Sequence, residues 1–349
     1  MNVGRLRIDT GISAPPARLL GVETPAVIVI GAGLAGLVAA NALADQGRAC
    51  IVVDKASTPG GRLATRRLVG LDQRTARLDH GAQFFTVRSP DFAEVVHGWR
   101  RAGLVREWCQ GFGSGGDGHP RYCAEAGMNT VAKFLASSVD LSCDSTVHSV
   151  SRRNGLLQVT MTNGDALVGD SVILTPPVPQ SLALLDNGEL VLPADVAHEL
   201  GAISYARCLA LLVTLHSPST VPDPGGVQLG VGDHPFFSFV GDNEMKGISD
   251  VPAVTFHVHD EPSRRLWDAP EAQAVLLEAA RPWLGDGTVV ASELKKWRYA
   301  RPITASGATH VGVESNDGTR LVFAGDAFAG AKMEGAALSG LAAAEYLAG

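Results

Sequence analysis

Residues Val27–Asp54 read VIVIGAGLAGLVAANALADQGRACIVVD, and the rest of the chain is organised around them. Val27–Ile30 is an apolar, β-branched run too short for a helix, which predicts a buried strand. Gly31-Ala32-Gly33-Leu34-Ala35-Gly36 follows at once, and Leu34, Leu37, Val38, Ala40 and Leu43 then recur at helical spacing as far as Gly47. A second strand, 49–53, ends on Asp54. Gly31 permits a tight turn, Gly33 lets backbone approach a pyrophosphate, and Gly36 lets the helix sit against the strand. The helix start at Leu34-Ala35 offers unpaired N–H groups to phosphate oxygens, and Asp54 can accept from a ribose hydroxyl. This βαβ unit reads as a dinucleotide site; on its own it does not separate FAD from NAD.

Composition narrows the function classes. The chain has 349 residues, 46% hydrophobic and 19% charged, with a net charge of −7. That suits a globular protein of about two domains and argues against nucleic acid or an anionic membrane as the main partner. The first 24 residues carry Arg5, Arg7, Arg18, Pro15 and Pro16 without an apolar core, so they read as a loose tail rather than a secretory signal. Cys50, Cys109, Cys123, Cys143 and Cys208 are odd in number and lack metal-ligand spacing, which predicts reduced thiols, a cytoplasmic protein and no metal site. His257 and His259 alternate in VTFHVHDE without an obvious third ligand, so they read as structural histidines.

Further along, Pro59-Gly60-Gly61 is a turn leading into Arg62, Arg66 and Arg67, a second cationic clamp for a pyrophosphate. Phe92–Ala102 has helical spacing, and the glycine-rich loop Gly111–Gly118 reads equally as a flap or a connector. Asn154-Gly155 and Asn163-Gly164 mark hairpin turns between short strands, with a further strand at Ser171–Leu174. Leu209–Leu215 and Pro235–Val240 read as strands and Glu271–Leu284 as a helix. Leu321–Ala324 is an apolar strand leading into Gly325-Asp326, and Gly330–Ala348 is a helix opening with small residues.

GAGLAG, the acid at Asp54, GGRLATRR (60–67) and DHGAQFFTVR (79–88) together resemble the renalase family of flavin-dependent oxidoreductases, relatives of the amine oxidases. GLVREW (103–108), EAGMNTVAKFL (125–135), VILTPPVPQ (172–180), KWRYARP (296–302) and FAGDAFAGAKMEGAALSG (323–340) extend the resemblance, while 181–293 matches diffusely. It implies an α/β fold: a discontinuous Rossmann-type FAD-binding domain with an α+β substrate domain of mixed sheet, of the amine-oxidase and p-hydroxybenzoate-hydroxylase type. The domains would be a tail (1–24), FAD-binding segments (25–90, 126–178, 296–349) and substrate segments (91–125, 179–295).

The resemblance implies non-covalent FAD held by Gly31, Gly33, Leu34, Ala35, Gly36, Asp54, Lys55, Gly61, Arg62, Gly81, Ala82, Gln83, Phe84, Val147, Gly325, Asp326, Glu334, Gly335 and Ala336. Val147 would meet the adenine and Asp326 a ribityl hydroxyl or phosphate. Phe85, Thr86, Arg88, Tyr205 and Lys332 would face the substrate. The implied reaction is oxidation of the 2- and 6-dihydro isomers of NAD(P)H to NAD(P)+, hydride passing to the flavin and O2 becoming H2O2. A dinucleotide substrate and O2 would be the partners, with the oligomeric state left open. A flavin amine oxidase and a non-catalytic FAD-binding protein are the alternatives.

Overall fold

The computed structural model describes residues 27–113 and 118–349, so the expected N-terminal tail and the middle of the Gly111–Gly118 loop lie outside the described residues. The chain opens with β1 (Val27–Ile30), α1 (Leu34–Asp45) and β2 (Cys50–Val53), as the βαβ reading requires. A hairpin, β3 (Thr65–Val69) and β4 (Thr75–Asp79), carries Arg66 and Arg67 of the expected cationic clamp. Helix α2 (Pro90–Arg101), the hairpin β5 (Val105–Cys109) and β6 (Arg121–Ala124), helix α3 (Asn129–Ala136) and β7 (Asp140–Ser142) follow. The meander is β8 (Val147–Arg153), β9 (Leu156–Met161) and β10 (Ala166–Gly169), then β11 (Ser171–Leu174), α4 (Val178–Asn187) and α5 (Ala194–Gly201). Next come β12 (Ser204–Leu215), β13 (Gly226–Gln228), β14 (Phe237–Asp242), β15 (Ala253–Val258), α6 (Asp260–Arg265) and α7 (Ala272–Leu284). The chain ends with β16 (Val289–Thr304), β17 (Val311–Glu314), β18 (Arg320–Phe323) and α8 (Met333–Ala348).

Two sheets carry the molecule. The first runs β17-β18-β11-β1-β2-β7, parallel except at the β17 edge. In β1, Val27 and Val29 pack with Leu37, Leu43 and Ala344, while Ile28 and Ile30 pack with Val159, Leu185 and Leu200. A two-residue period between two apolar layers explains why this strand has no polar position. Helices α1 and α8 approach closely: a Cβ on Gly340 would lie 2.4 Å from the Ala35 carbonyl oxygen.

The second sheet, β13-β14-β15-β12-β16, is antiparallel throughout, so the mixed sheet of the molecule is the first one. On β15, Val254, Phe256 and Val258 face the core beneath α7, and on β12 so do Leu209, Leu211 and Val213. Thr255 and His257 alternate with them and meet the Asp79–Gln83 segment on the opposite side.

This arrangement corrects the expected segmentation. The boundary at 296 falls inside β16, which pairs with β12 from Val289 to Thr304. Leu185 and Leu200, expected in the substrate segment 179–295, are buried on the nucleotide-binding sheet beside Val178, and Phe92, Val96 and Trp99, expected in the substrate segment 91–125, join the α1 layer. The reason is burial: each of these helices hides its apolar stripe on the nearest sheet face. No helix among the described residues is long and apolar enough to cross a membrane.

Candidate active site

Two glycine-rich turns meet at the start of α1. Gly31 has φ +106°, and a Cβ on Gly36 would lie 2.0 Å from the Gly31 carbonyl oxygen, so both positions demand glycine. Gly33 differs: a Cβ there would meet nothing within 4 Å. Gly61 lies against it, its own Cβ position 3.4 Å from the Gly33 Cα, and the Gly60 N–H donates to the Ala32 carbonyl at 2.8 Å. No side chain caps α1. An open backbone surface at an uncapped helix N-terminus, walled by a second glycine turn, fits a pyrophosphate.

Asp54 accepts the N–H of Ala32 at 2.6 Å and that of Ala56 at 2.7 Å, which leaves each carboxylate oxygen a further lone pair for a hydroxyl. Lys55 beside it is exposed. The backbone of Asp54 is bonded to Ser142 and Ser145, which brings the start of β8, with half-buried Val147, alongside the acid. At the far end of the cradle, Gly325 (φ +144°) donates its N–H to Ser339 Oγ at 2.9 Å. A Cβ on Gly335 would stand 1.8 Å from the Gly330 carbonyl oxygen, so the start of α8 lies tight on this turn. No side chain caps α8 either.

The Asp79–Phe84 segment is gripped from both sheets. The Asp79 carboxylate takes Thr65 Oγ1 at 2.6 Å and the Met128 N–H at 2.8 Å on one oxygen, and Lys246 Nζ at 2.7 Å on the other. Asp79 and Lys246 are both completely buried. The Asp79 carbonyl accepts from Gln83 Nε2 at 2.6 Å and Thr255 Oγ1 at 2.9 Å. The Trp297 indole N–H donates to the His80 carbonyl at 2.7 Å, His257 Nε2 lies 3.2 Å from the same oxygen, and the Trp297 ring stacks on His80 at 5.2 Å. Burial pushes His80 and His257 down to about 4, so both imidazoles are neutral at physiological pH. Gly81 and Ala82 run against Arg62, whose carbonyl accepts the Ala82 N–H at 2.9 Å.

Residues 98–348 match the flavin-containing amine oxidoreductase family, and residues 29–99 match the NAD(P)-binding Rossmann-like domain. The chain belongs to the flavin-containing amine oxidoreductase family. It is accordingly an FAD-dependent oxidoreductase, and the cradle at α1 suits that cofactor. Among curated proteins, Renalase of Mus musculus is 26% identical over 344 residues, covering 92% of this chain and 98% of that protein. Lysine-specific histone demethylase 1 homolog 1 of Arabidopsis thaliana is 47% identical over 66 residues, 19% of this chain, which spans only 8% of that relative. Among solved structures, putrescine oxidase bound to putrescine superposes with a TM-score of 0.69 at 16% identity, covering 93% of this chain and 99% of that one. A fatty acid isomerase from P. acnes gives 0.65 at 12% identity, covering 91% and 97%. At such identities the likeness is one of fold.

Several expected site residues take other places in this family member. Phe85 is core: it stacks on Tyr122 and meets Phe92 and Trp99 edge-on, at 4% exposure. Tyr205 is also buried, its hydroxyl accepting the Val178 N–H at 3.2 Å, and desolvation pushes it up to about 12. Arg62 forms a bidentate pair with Asp326, both bonds 2.6 Å, so these two side chains hold each other across the cradle. Glu334 accepts the backbone N–H groups of Ser89 at 2.7 Å and Arg88 at 3.1 Å, tying the segment after Phe85 to α8. Arg88 and Lys332 are exposed near that junction, while Thr86 and Ala336 are half-buried.

Beyond Gln83, Phe84 sits in an aromatic cluster with Trp108, Phe112 and Phe239, at centroid distances of 6.4, 5.3 and 5.8 Å. Arg121 lies over the Phe84 ring and Lys246 over Trp108, at 5.8 and 5.4 Å. Lys246, Phe112, Phe239 and Arg121 escape a reading of the sequence; the only signal there is that Phe112 belongs to the glycine-rich loop and Trp108 to the GLVREW motif.

Proposed function

We propose that this chain is an FAD-dependent oxidase of dihydronicotinamide dinucleotides, converting the 2- or 6-dihydro isomers of NAD(P)H to NAD(P)+ while O2 and a proton become H2O2. The match to Renalase along nearly the whole length of both chains supports the reading. The observation that carries it is the state of the aromatic cluster: rings of Phe84 and Trp108 already carry Arg121 and Lys246, so they are poorly placed to cage an ammonium substrate. A neutral, planar dihydropyridine suits such a cluster better.

FAD supplies the hydride acceptor and the path of electrons to O2. In this reading the Gly31–Gly36 turn and the start of α1 bind the pyrophosphate, Asp54 a ribose, and Gly61 the second side of the phosphate cleft. Gly325 and the start of α8 meet the flavin end, with Gly81, Ala82, Gln83 and Phe84 along its edge. Loss of hydride makes the pyridine ring aromatic without a deprotonation, so the protein's task is orientation and exclusion of water, and neutral His80 and His257 suffice nearby.

The test is anaerobic mixing of the FAD-loaded protein with separated NADH isomers while flavin absorbance is followed. Rapid bleaching by a 2- or 6-dihydro isomer, with ordinary NADH and amines slow, is expected. Bleaching by an amine alone, or by no donor, overturns the proposal.

A further inference from the structure

Gln83 is 5% exposed, and its side-chain amide can be oriented from its partners. Nε2 lies 2.6 Å from the Asp79 carbonyl and 3.3 Å from the Gly81 carbonyl. Rotating the amide would press its oxygen against two acceptors, so nitrogen faces the loop and Oε1 faces away. Oε1 is buried and has no donor among the described residues. Glycine stands opposite: a Cβ on Gly241 of β14 would lie 3.3 Å from Oε1 and 2.8 Å from the Phe239 ring. Phe239 in turn meets Phe84 and Phe112. A buried carbonyl oxygen, fixed in direction at the edge of an aromatic cluster, is costly unless an N–H comes to it.

We propose that Gln83 Oε1 is the specificity-determining acceptor for an N–H donor on the reacting ring, namely the primary carboxamide of a nicotinamide substrate. The inference rests on the dihydronicotinamide reading above and adds the residue that recognises the ring. An analogue lacking the N–H leaves this acceptor buried and unpaired, which is how a site rejects a near-isostere. The ring N–H of FAD itself is the competing donor.

The test compares binding of NAD+ with that of 3-acetylpyridine adenine dinucleotide, in which a methyl replaces the carboxamide NH2, to FAD-loaded protein by equilibrium dialysis. The wild-type protein is expected to prefer NAD+ about tenfold, one hydrogen bond's worth. Gln83→Met should bind the two alike. Thr255→Val removes a different donor to the Asp79 carbonyl and should keep the preference, which separates recognition from loosening of the loop. Equal affinities in the wild type overturn the inference while leaving the dihydronicotinamide reading intact, and this arm needs no variant to fold. A preference that survives Gln83→Met overturns it too; if the flavin spectrum shifts at the same time, the acceptor serves FAD. If neither dinucleotide binds the wild type, the functional reading and the inference are overturned together.

Discussion

Replacing Lys246 by methionine should destabilise the protein sharply while preserving side-chain volume. Lys246 Nζ is 2.7 Å from Asp79 Oδ2 with both residues wholly buried, so neither charge retains hydration. Breaking such a pair by removing one partner costs about 3–5 kcal/mol. The other carboxylate oxygen keeps its bonds from Thr65 and Met128, which places the expected loss near the lower end, about 3 kcal/mol. The structure also specifies the rescue. In Lys246→Met combined with Asp79→Asn, the Asn oxygen can keep the Thr65 and Met128 donors, and its NH2 would face the thioether. The double variant should therefore recover much of the loss, about 2 kcal/mol. Guanidinium unfolding at saturating FAD, followed by flavin release and far-UV circular dichroism, gives the comparison. A single variant within about 1 kcal/mol of wild type, or a double variant less stable than the single, refutes the argument.

Gly33→Ala should leave thermal unfolding of the apoprotein unchanged and weaken FAD binding at least tenfold, because its Cβ enters only the open cleft; Gly36→Ala should impair folding itself, its Cβ falling 2.0 Å from a carbonyl oxygen. Gly241→Ala should raise the dihydronicotinamide KM with FAD affinity intact, as read by steady-state kinetics and flavin titration, since the methyl meets Gln83 and Phe239. His80 and His257 have folded values of about 4 against 6.5, so the unfolded chain binds more protons between those limits. Stability conferred by keeping them neutral is full above about pH 6.5 and falls towards pH 4, by about 3 kcal/mol for each group, and His257→Gln should flatten that slope in denaturant titrations. Acid precipitation should release all the flavin to the supernatant, because burial pushes the five thiols away from the thiolate form, Cys208 to about 12.

The nucleotide half is legible in sequence because its signals are local: strand, glycine turn, helix and Asp54 occupy one continuous stretch. The DHGAQFF motif is equally visible, but its partners Lys246, Thr255, His257 and Trp297 come from far along the chain, where alternation marks strands without saying which face meets the loop. Phe85 and Tyr205 show the limit clearly. An aromatic residue beside a motif has the same spelling whether it lines the site or fills the core, and only packing against Tyr122, or the bond to Val178, decides. The edge strand β16 hides for another reason. Its run SELKKWRYARP lacks apolar alternation because only Pro302 of these residues is buried, and three of them, 298–300, bulge opposite Arg207.

The strand order of the first sheet also bears on how the protein is made. Its central strand, β1, is among the earliest described residues, yet the sheet incorporates β11 and then β18, and α1 is covered by α8, which ends at Ala348. Until β18 and α8 have been made, the first glycine turn has neither its far wall nor its covering helix. Flavin capture by this chain should therefore wait for α8, and a message truncated before residue 320 should yield a polypeptide that does not retain the cofactor.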